Sequence, residues 1–397
     1  MGSFCPKRKL FVVLLGVVAA FCLTSPNAQA REAQKGLTIP GVSDGERLTL
    51  ERCIDIALEQ NPEIAAGEWD ISAAESRLNV ANAAFWPWLR VDGSFLHDVN
   101  DQRLIPARYN GEPGTFDDQI LRSSVGAKMV LYSGGRISSE AGAAEKLSEA
   151  EKKKFIRTRE ELVYAVSASY YAILGQQKII DSLEFSRQAL EQHMKRVLEL
   201  YEARKAARVD ILRTEVRLTN LAQNILKQKN VLAVRERIVF SLMGFEEAPV
   251  NIQFDEKLAF AVSPVDTDHL VETALQRRPD YQAAVHRMEA QSFRVKAARA
   301  GYLPDISLVG AYGVKSAPSP EDRGRGAEST VDAGSVGIVL TIPLFEGGRV
   351  SAKVSQETAT LEAVRERLRK LEIQIRQETE TAVLDLHSDM ARVNATQ

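Results

Sequence analysis

The feature that most constrains this fold is an internal repeat of unusual length. The segment Ala57–Glu63 (ALEQNPE) returns 217 positions later as Ala274–Asp280 (ALQRRPD), and Leu131–Arg136 (LYSGGR) returns 213 positions later as Leu344–Arg349 (LFEGGR). A unit of more than 200 residues is too long for a solenoid repeat, so it predicts two copies of one structural half. Each half has the pattern of a short helical region, a strand pair and then a very long helix.

The N-terminus has the pattern of an export signal. Lys7–Lys9 is a basic segment, the 14 residues Leu10–Leu23 are apolar, and Ala28–Ala30 fits a small-residue cleavage site. Cys22 raises the possibility of lipidation, but the bulky Phe21 before it argues against that. After cleavage only Cys53 remains, which excludes an intrachain disulfide.

Charge and hydropathy exclude two further classes. The net charge is −2, with acidic and basic residues interleaved, whereas a nucleic-acid surface needs a clustered basic patch. No apolar run after Leu23 reaches the roughly 18 residues of a transmembrane helix. A membrane-inserted form would therefore have to be a β-barrel.

Two segments have the two-residue period of strands with unlike faces. Leu89–Phe95 alternates apolar and polar side chains, and a second strand follows through Val125 to Leu131. The second half repeats the pattern over residues 305–344. In both hairpins an apolar row is expected to face outward and a small or polar row inward, with polar loops at His97–Gln119 and Lys315–Ser329.

The rest of the chain is predominantly helical. Apolar residues at spacings of three and four indicate long antiparallel helices packed as coiled coils, with a helical hairpin over about 134–243. Asp210 is a plausible N-cap for the returning helix. The predicted organisation is a signal peptide (1–30), an extension (31–47), a first repeat (48–245), a linker (246–266) and a second repeat (267–397).

Chemical motifs are missing from the sequence. The five histidines show no paired metal-ligand spacing, and no nucleophile elbow or phosphate-binding loop occurs, so no catalytic residue, metal or cofactor is predicted. The pairs Gly134–Gly135 and Gly347–Gly348 are interpreted as strand-to-helix joints that need open backbone angles.

Together these elements resemble the TolC-type outer-membrane efflux proteins. The resemblance rests on the two ALxxxP-like openings, on the helix–proline–strand joints at Pro87 and Pro304, on Ile342–Arg349 with its Pro343, and on the turn from Tyr201 to Ile211. It implies an α+β membrane protein: a homotrimer in which four strands from each chain close a twelve-stranded barrel in the outer membrane of a Gram-negative bacterium, above a periplasmic helical tunnel.

The resemblance also implies partners. A periplasmic adaptor (membrane fusion) protein would dock on the helical tip, whose candidate residues are Tyr201, Glu202, Arg204, Lys205 and Asp210, and an inner-membrane pump would be coupled indirectly. Asp210 is also a candidate for a contact between neighbouring hairpins at the closed end of the tunnel. The implied function is passive exit from a tripartite efflux pump or a type I secretion system.

The chain departs from the family pattern at three places. Arg204 stands where the tip turn usually has glycine, and Val130 stands where the second half has Pro343. Gln397 is equivalent to Glu184 by the repeat, so about sixty residues corresponding to the rest of the helical hairpin are expected to be missing, and the chain as it stands is not expected to trimerise. The alternative interpretation is a soluble periplasmic coiled-coil scaffold, in which the apparent strands are loops that flank helices.

Overall fold

The structure is a computed structural model that describes residues 47–105, 115–246, 253–255, 269–317 and 330–396. The chain divides into two compact units. One comprises residues 1–47 and 251–253, of which Arg47 and Gln253 are described, and the other comprises residues 48–250 and 254–397. The predicted signal peptide and most of the predicted extension lie outside the described residues.

The described elements follow the same order twice: two helices, two strands and a long helix. They are β1 (Arg47–Leu48), α1 (Leu50–Gln60), α2 (Pro62–Ala83), β2 (Trp88–Ile105), β3 (Thr115–Tyr132), α3 (Arg136–Glu202), α4 (Arg208–Leu242), β4 (Gln253–Phe254), α5 (Leu270–Arg277), α6 (Pro279–Arg299), a 3-10 turn (Ala300–Tyr302), β5 (Asp305–Ser316), β6 (Thr330–Thr341) and α7 (Arg349–Thr396).

The four long strands form one antiparallel sheet in the order β2-β3-β5-β6. The two sequential hairpins are thus joined side by side through β3 and β5, and β2 and β6 are left as edges. The prediction of two hairpins is confirmed. The scaffold interpretation, which required loops in place of these strands, is wrong.

The strands are longer than the alternation pattern predicted. The prediction of a loop at His97–Gln119 is wrong over most of its length, because β2 continues to Ile105 and β3 begins at Thr115. The pairing of the two strands shifts in register after His97. Backbone pairing does not require apolar side chains, so these polar residues extend the ladder even though they lack the two-faced pattern. Lys315 and Ser316, also expected in a loop, belong to β5, and residues 106–114 and 318–329 lie outside the described part.

The helices are organised around α3, which has 67 residues and is about 100 Å long at about 1.5 Å per residue. It packs against α2, α4 and α6, while α7 packs against α5 and α6. The core runs along these contacts and includes the fully buried Val166, Ile173 and Val239. No described helix combines the length and the apolar character needed to cross a membrane.

Candidate functional site

Two glycine pairs connect each hairpin to its long helix. Gly134 and Gly135 have φ angles of 62° and 83°, and Gly347 and Gly348 have φ angles of 62° and 81°. These angles lie in the left-handed region that glycine adopts without strain. The open backbone angles expected at the two joints are therefore present, with nearly the same geometry in both halves.

The two joints differ in what surrounds them. A Cβ atom on Gly134 would lie 2.6 Å from Cβ of Leu303 and 3.2 Å from the carbonyl oxygen of Ala300, whereas a Cβ on Gly347 would meet nothing within 4 Å. The first joint is thus packed against the segment that enters β5. Pro87 and Pro304 directly precede β2 and β5, and Pro343 lies between β6 and α7. Proline is suited to the position just before a strand, because it has no amide hydrogen to donate to the neighbouring strand.

The helical tip is a tight turn between α3 and α4. The amide of Lys205 donates to the carbonyl of Leu200 at 2.7 Å, and the amide of Arg204 donates to that of Tyr201 at 2.9 Å. This pair of bonds is the Schellman motif, which places the residue after the C-cap in the left-handed region. That residue is Arg204, with φ of 58°. The turn therefore needs the geometry of the expected glycine, although it carries an arginine.

Asp210 does not cap the returning helix in the predicted way. The N-cap of α4 is Ala207, whose side chain cannot accept a hydrogen bond, and Asp210 is the third residue of the helix. Its carboxylate instead accepts from the amide of Ala207 at 3.3 Å. The prediction of Asp210 as N-cap is wrong by three positions, because an acidic residue in the first turn can reach back to the free N-cap amide.

The chemistry of the tip is mixed. Its candidate docking residues Tyr201, Glu202, Arg204 and Lys205 are exposed, and Asp210 is half-buried. The nearby side chains Val209 and Leu212 are also about half exposed, at 47% and 51%. Together with Arg208, the charged residues of the turn give three cations and two anions. The tip therefore exposes apolar side chains together with an excess of positive charge.

The four-stranded sheet has two chemically different faces. Directly paired residues share a face, so the register Leu89–Ala127, Val91–Val125, Val125–Tyr312 and Leu308–Ile338 places one set of apolar side chains on a single side. Much of this side is exposed, with Leu89 at 74%, Ile338 at 68% and Val336 at 81%. The opposite side carries mostly small or polar residues: Arg90, Asp92, Ser94, Arg122, Ser124, Gly126, Lys128, Ser307, Ala311, Gly313, Lys315, Ala333, Ser335 and Gly337.

One cluster of potential metal ligands occurs among the described residues. Glu149, His286 and Glu289 have ligand atoms within 4.8 Å of one another. The ammonium of Lys146 lies 2.8 Å from Glu149 and 3.3 Å from Glu289, so a cation of the chain already forms ion pairs with both carboxylates. The hydrogen bond with Glu149 raises the pKa of Lys146, which favours its charged form. The arrangement is that of an ion-pair network between α3 and α6.

Tyr170 forms long-range hydrogen bonds that were not predicted from the sequence. Its hydroxyl lies 3.0 Å from the carbonyl oxygens of both Leu48 and Asp255, so it fastens two distant segments to the middle of α3. Its ring packs edge-on against Phe254. Burial raises the pKa of the Tyr170 phenol to about 12.

Asn61 also forms a hydrogen bond between distant segments. Its amide nitrogen donates to the carbonyl of Leu242 at 2.8 Å, and its side-chain oxygen accepts from the amide of Glu63 at 2.7 Å. Asn61 therefore caps α2 and fastens it to the end of α4. Arg278, its counterpart in the repeat, instead forms ion pairs with Asp280 and with Glu378 of α7.

Comparison with known proteins identifies the family. The family model described as outer membrane efflux protein matches residues 53–244 and 270–397, which is most of the chain. The chain belongs to the outer membrane efflux protein family. The resemblance inferred from the repeat, the joints and the tip turn is confirmed.

Individual members of the family are distant relatives. The chain is 27% identical over 316 residues to the outer membrane protein OprJ of Pseudomonas aeruginosa, covering 77% of this chain and 62% of OprJ. It is 24% identical over 314 residues to the alkaline protease secretion protein AprF of the same organism, covering 77% of this chain and 63% of AprF. The chain thus spans less than two thirds of the length of these relatives.

Solved structures share the fold at lower identity. The outer membrane protein VceC from Vibrio cholerae superposes with a TM-score of 0.73 at 17% identity, covering 87% of this chain and 81% of VceC. The outer-membrane channel OprN gives a TM-score of 0.72 at 19% identity, covering 87% of this chain and 76% of OprN. The arrangement of one four-stranded sheet with long helices is therefore the fold of outer-membrane channels.

Proposed function

We propose that this protein is one protomer of a trimeric channel-tunnel in the outer membrane, which gives substrates a passive exit from a tripartite efflux pump or a type I secretion system. The observation that carries this proposal is the open four-stranded sheet with an exposed apolar face. Two glycine pairs join it to the long helices α3 and α7, which are about 100 Å and about 70 Å long. The family supports it, since its members include an outer-membrane channel and a protease secretion protein.

The open edges of the sheet argue for assembly. Within the part of the chain that the structure describes, β2 and β6 each leave one row of backbone amides and carbonyls unpaired, and such groups cannot be satisfied by lipid. Pairing β6 of one chain with β2 of the next satisfies both rows. Three chains with four strands each would close a twelve-stranded barrel, with the apolar face toward lipid and the polar face toward the lumen.

The long helices argue for the same assembly. Apolar side chains along α4 and α7 remain exposed in the single chain, such as Leu226 at 62%, Val234 at 60% and Leu384 at 68%. Helices of this length cannot bury such stripes within one compact domain. Helices from neighbouring chains around a three-fold axis would cover them and form the wall of a periplasmic tunnel.

The tip is the proposed docking site for a periplasmic adaptor protein. It lies at the far end of α3 from the sheet, so it is proposed to meet protein and not lipid. The adjacent cations Arg204 and Lys205 favour an acidic patch on the adaptor, and an interaction of this kind weakens with salt. The inner-membrane pump would be coupled through the adaptor.

Assembly can be tested with cysteines at the two sheet edges. Ser94 on β2 is replaced by cysteine together with one of Ala333, Ser335 or Gly337 on β6, and crosslinked species are analysed without reductant. With at least one pair introduced into the full-length protein, we expect covalent dimers and trimers in the outer-membrane fraction. The single-cysteine variants are the controls, because Cys53 is buried. A monodisperse monomer in detergent-free buffer would contradict the proposal.

Docking can be tested separately at Arg204. We expect Arg204→Glu to abolish export while trimers still form and insert, and Arg204→Lys, which keeps the charge, to export normally. Export that survives the charge reversal would remove the tip from the adaptor interface and leave the channel proposal intact.

A further inference from the structure

The polar face of the sheet carries an excess of positive charge. Within the regular part of the ladder its cations are Arg90, Arg122, Lys128 and Lys315, and its carboxylates are Asp92 and Asp305. The inference drawn from this face rests on the proposed channel, in which the same face lines the lumen.

Both carboxylates are already paired. Asp92 lies 2.7 Å from Nε of Arg90, and Asp305 lies 3.5 Å from the guanidinium of Arg136 at the start of α3. Among the residues that the structure describes, no carboxylate forms an ion pair with Arg122, Lys128 or Lys315. Within the described part of the chain, three positive charges on this face therefore have no carboxylate partner.

Two of these cations face each other. Arg122 on β3 is the direct cross-strand partner of Lys315 on β5, and Ser94 on β2 is the other direct neighbour of Arg122. Like charges in directly opposed positions destabilise a sheet. The pair is therefore not explained by the stability of the sheet, and an anionic ligand in the adjacent space would relieve the repulsion.

Residues with small side chains lie beside the cations. Between the Arg122–Lys315 row and Lys128 the polar face carries Gly126, Ala311 and Gly313, whose side chains are small or absent. Lys128 is six residues further along β3, which corresponds to about 20 Å. The cations thus form two separate levels along the direction of the strands.

We propose that the lumen of the barrel is selective for anions, through one belt formed by Arg122 and Lys315 and a second formed by Lys128 from each chain. Fixed charges of one sign inside low-dielectric walls raise the local concentration of the opposite ion. The favoured substrates are small solutes that carry carboxylate, phosphate or sulfate groups. Asp98, Asp101, Asp117 and Asp118 lie beyond the last regular pair, His97–Gln119, and do not belong to either belt.

A cysteine probe measures the local potential directly. In Ser94→Cys the thiol lies beside Arg122, and its reaction rates with an anionic and a cationic methanethiosulfonate reagent are compared on the assembled protein. Taking the ratio of the two rates cancels effects on thiol ionisation. We expect the anionic reagent to be favoured on the order of tenfold near 0.1 M salt, with little preference at 1 M salt.

The matched variant carries Arg122→Gln and Lys315→Gln in the same Ser94→Cys protein, and we expect its rate ratio to fall close to one. The unsubstituted protein, whose Cys53 is buried, gives the background. An equal rate for both reagents in the charged protein, or a ratio that survives removal of both cations, would overturn the inference.

Reversal potentials of inserted channels in a KCl gradient test the consequence for transport. We expect chloride to be more permeant than potassium, Arg122→Glu with Lys315→Glu to reverse this order, and Arg122→Lys with Lys315→Arg to preserve it. Conducting channels that prefer potassium would overturn the inference and leave the exit channel intact. Where the inserted trimers stay closed, the rate ratio at Ser94→Cys decides the inference.

Discussion

Replacing Gly134 by alanine tests how the first hairpin is joined to its helix. Alanine at φ of 62° costs about 1–2 kcal/mol from backbone strain alone. Its Cβ would also lie 2.6 Å from Cβ of Leu303, an atom that no rotamer change can move away. Forcing an extra carbon into a packed site costs about 1–3 kcal/mol more. The expected loss for Gly134→Ala is therefore about 2–5 kcal/mol.

Two matched alanine substitutions isolate the contact with Leu303. Gly347 has the same φ of 62° in the second joint with nothing within 4 Å of its Cβ position, and Gly135 has φ of 83° with its nearest neighbour at 3.7 Å. Both should lose only the backbone cost of about 1–2 kcal/mol.

Thermal unfolding in detergent, followed by circular dichroism, measures the difference. For a chain of 397 residues, a loss of 1 kcal/mol in the free energy of unfolding lowers the melting temperature by about 1 °C. We expect the melting temperature to fall by about 2–5 °C for Gly134→Ala and by about 1–2 °C for each control. Equal losses in all three variants would refute the close packing of Gly134 against the segment that enters β5.

Three further predictions concern the tip and the buried Tyr170. Arg204→Gly should stabilise the tip turn by about 0.5–1 kcal/mol, because relief of the left-handed strain exceeds the flexibility cost of glycine, and slower hydrogen exchange at the Lys205 amide would report it. Asp210→Ala should cost about 0.5–1.5 kcal/mol of local helix stability, because it removes the hydrogen bond from the Ala207 amide. An unchanged closed state in bilayer conductance would leave Asp210 with this local role alone, whereas conduction without the pump would make it part of the gate. The raised pKa of Tyr170 favours its neutral form in the fold, so its contribution to stability is complete below the ordinary value of 10.0 and is lost as the pH rises toward about 12. Burial also raises the pKa of Cys53 to about 12, which adds to the same alkaline loss. Tyr170→Phe should therefore flatten one part of the pH dependence of the melting temperature, and Cys53→Ala a further part.

The features that could be predicted from the sequence are those encoded by local patterns. The alternation at Leu89–Phe95 fixed which side chains share a face, because side chains on a strand point alternately to its two sides. The paired glycines located both joints, since few other residues adopt those backbone angles. The extension of β2 beyond His97 could not be predicted, because its polar residues are held by backbone pairing and carry no periodic signal.

Contacts between distant segments are the other part that the sequence did not reveal. The Tyr170 hydroxyl lies 122 positions from Leu48, and the Asn61 side chain lies 181 positions from Leu242. A tyrosine in a helix is sufficiently explained as a packing residue. An asparagine before a proline is sufficiently explained as a helix cap. Only the fold shows that each also holds two segments together.

Arg204 connects local strain with the proposed function of the tip. The end of α4 uses the same Schellman motif with Gly244, at φ of 86°, in the position that Arg204 holds at the end of α3. The same chain therefore uses glycine where this turn is packed against Gln60 and arginine where it is exposed at the tip. Stability alone favours glycine at both places, since a left-handed arginine costs about 1–2 kcal/mol. A strained arginine on an exposed surface agrees with the proposal that its side chain contacts the adaptor, because the turn itself does not need it.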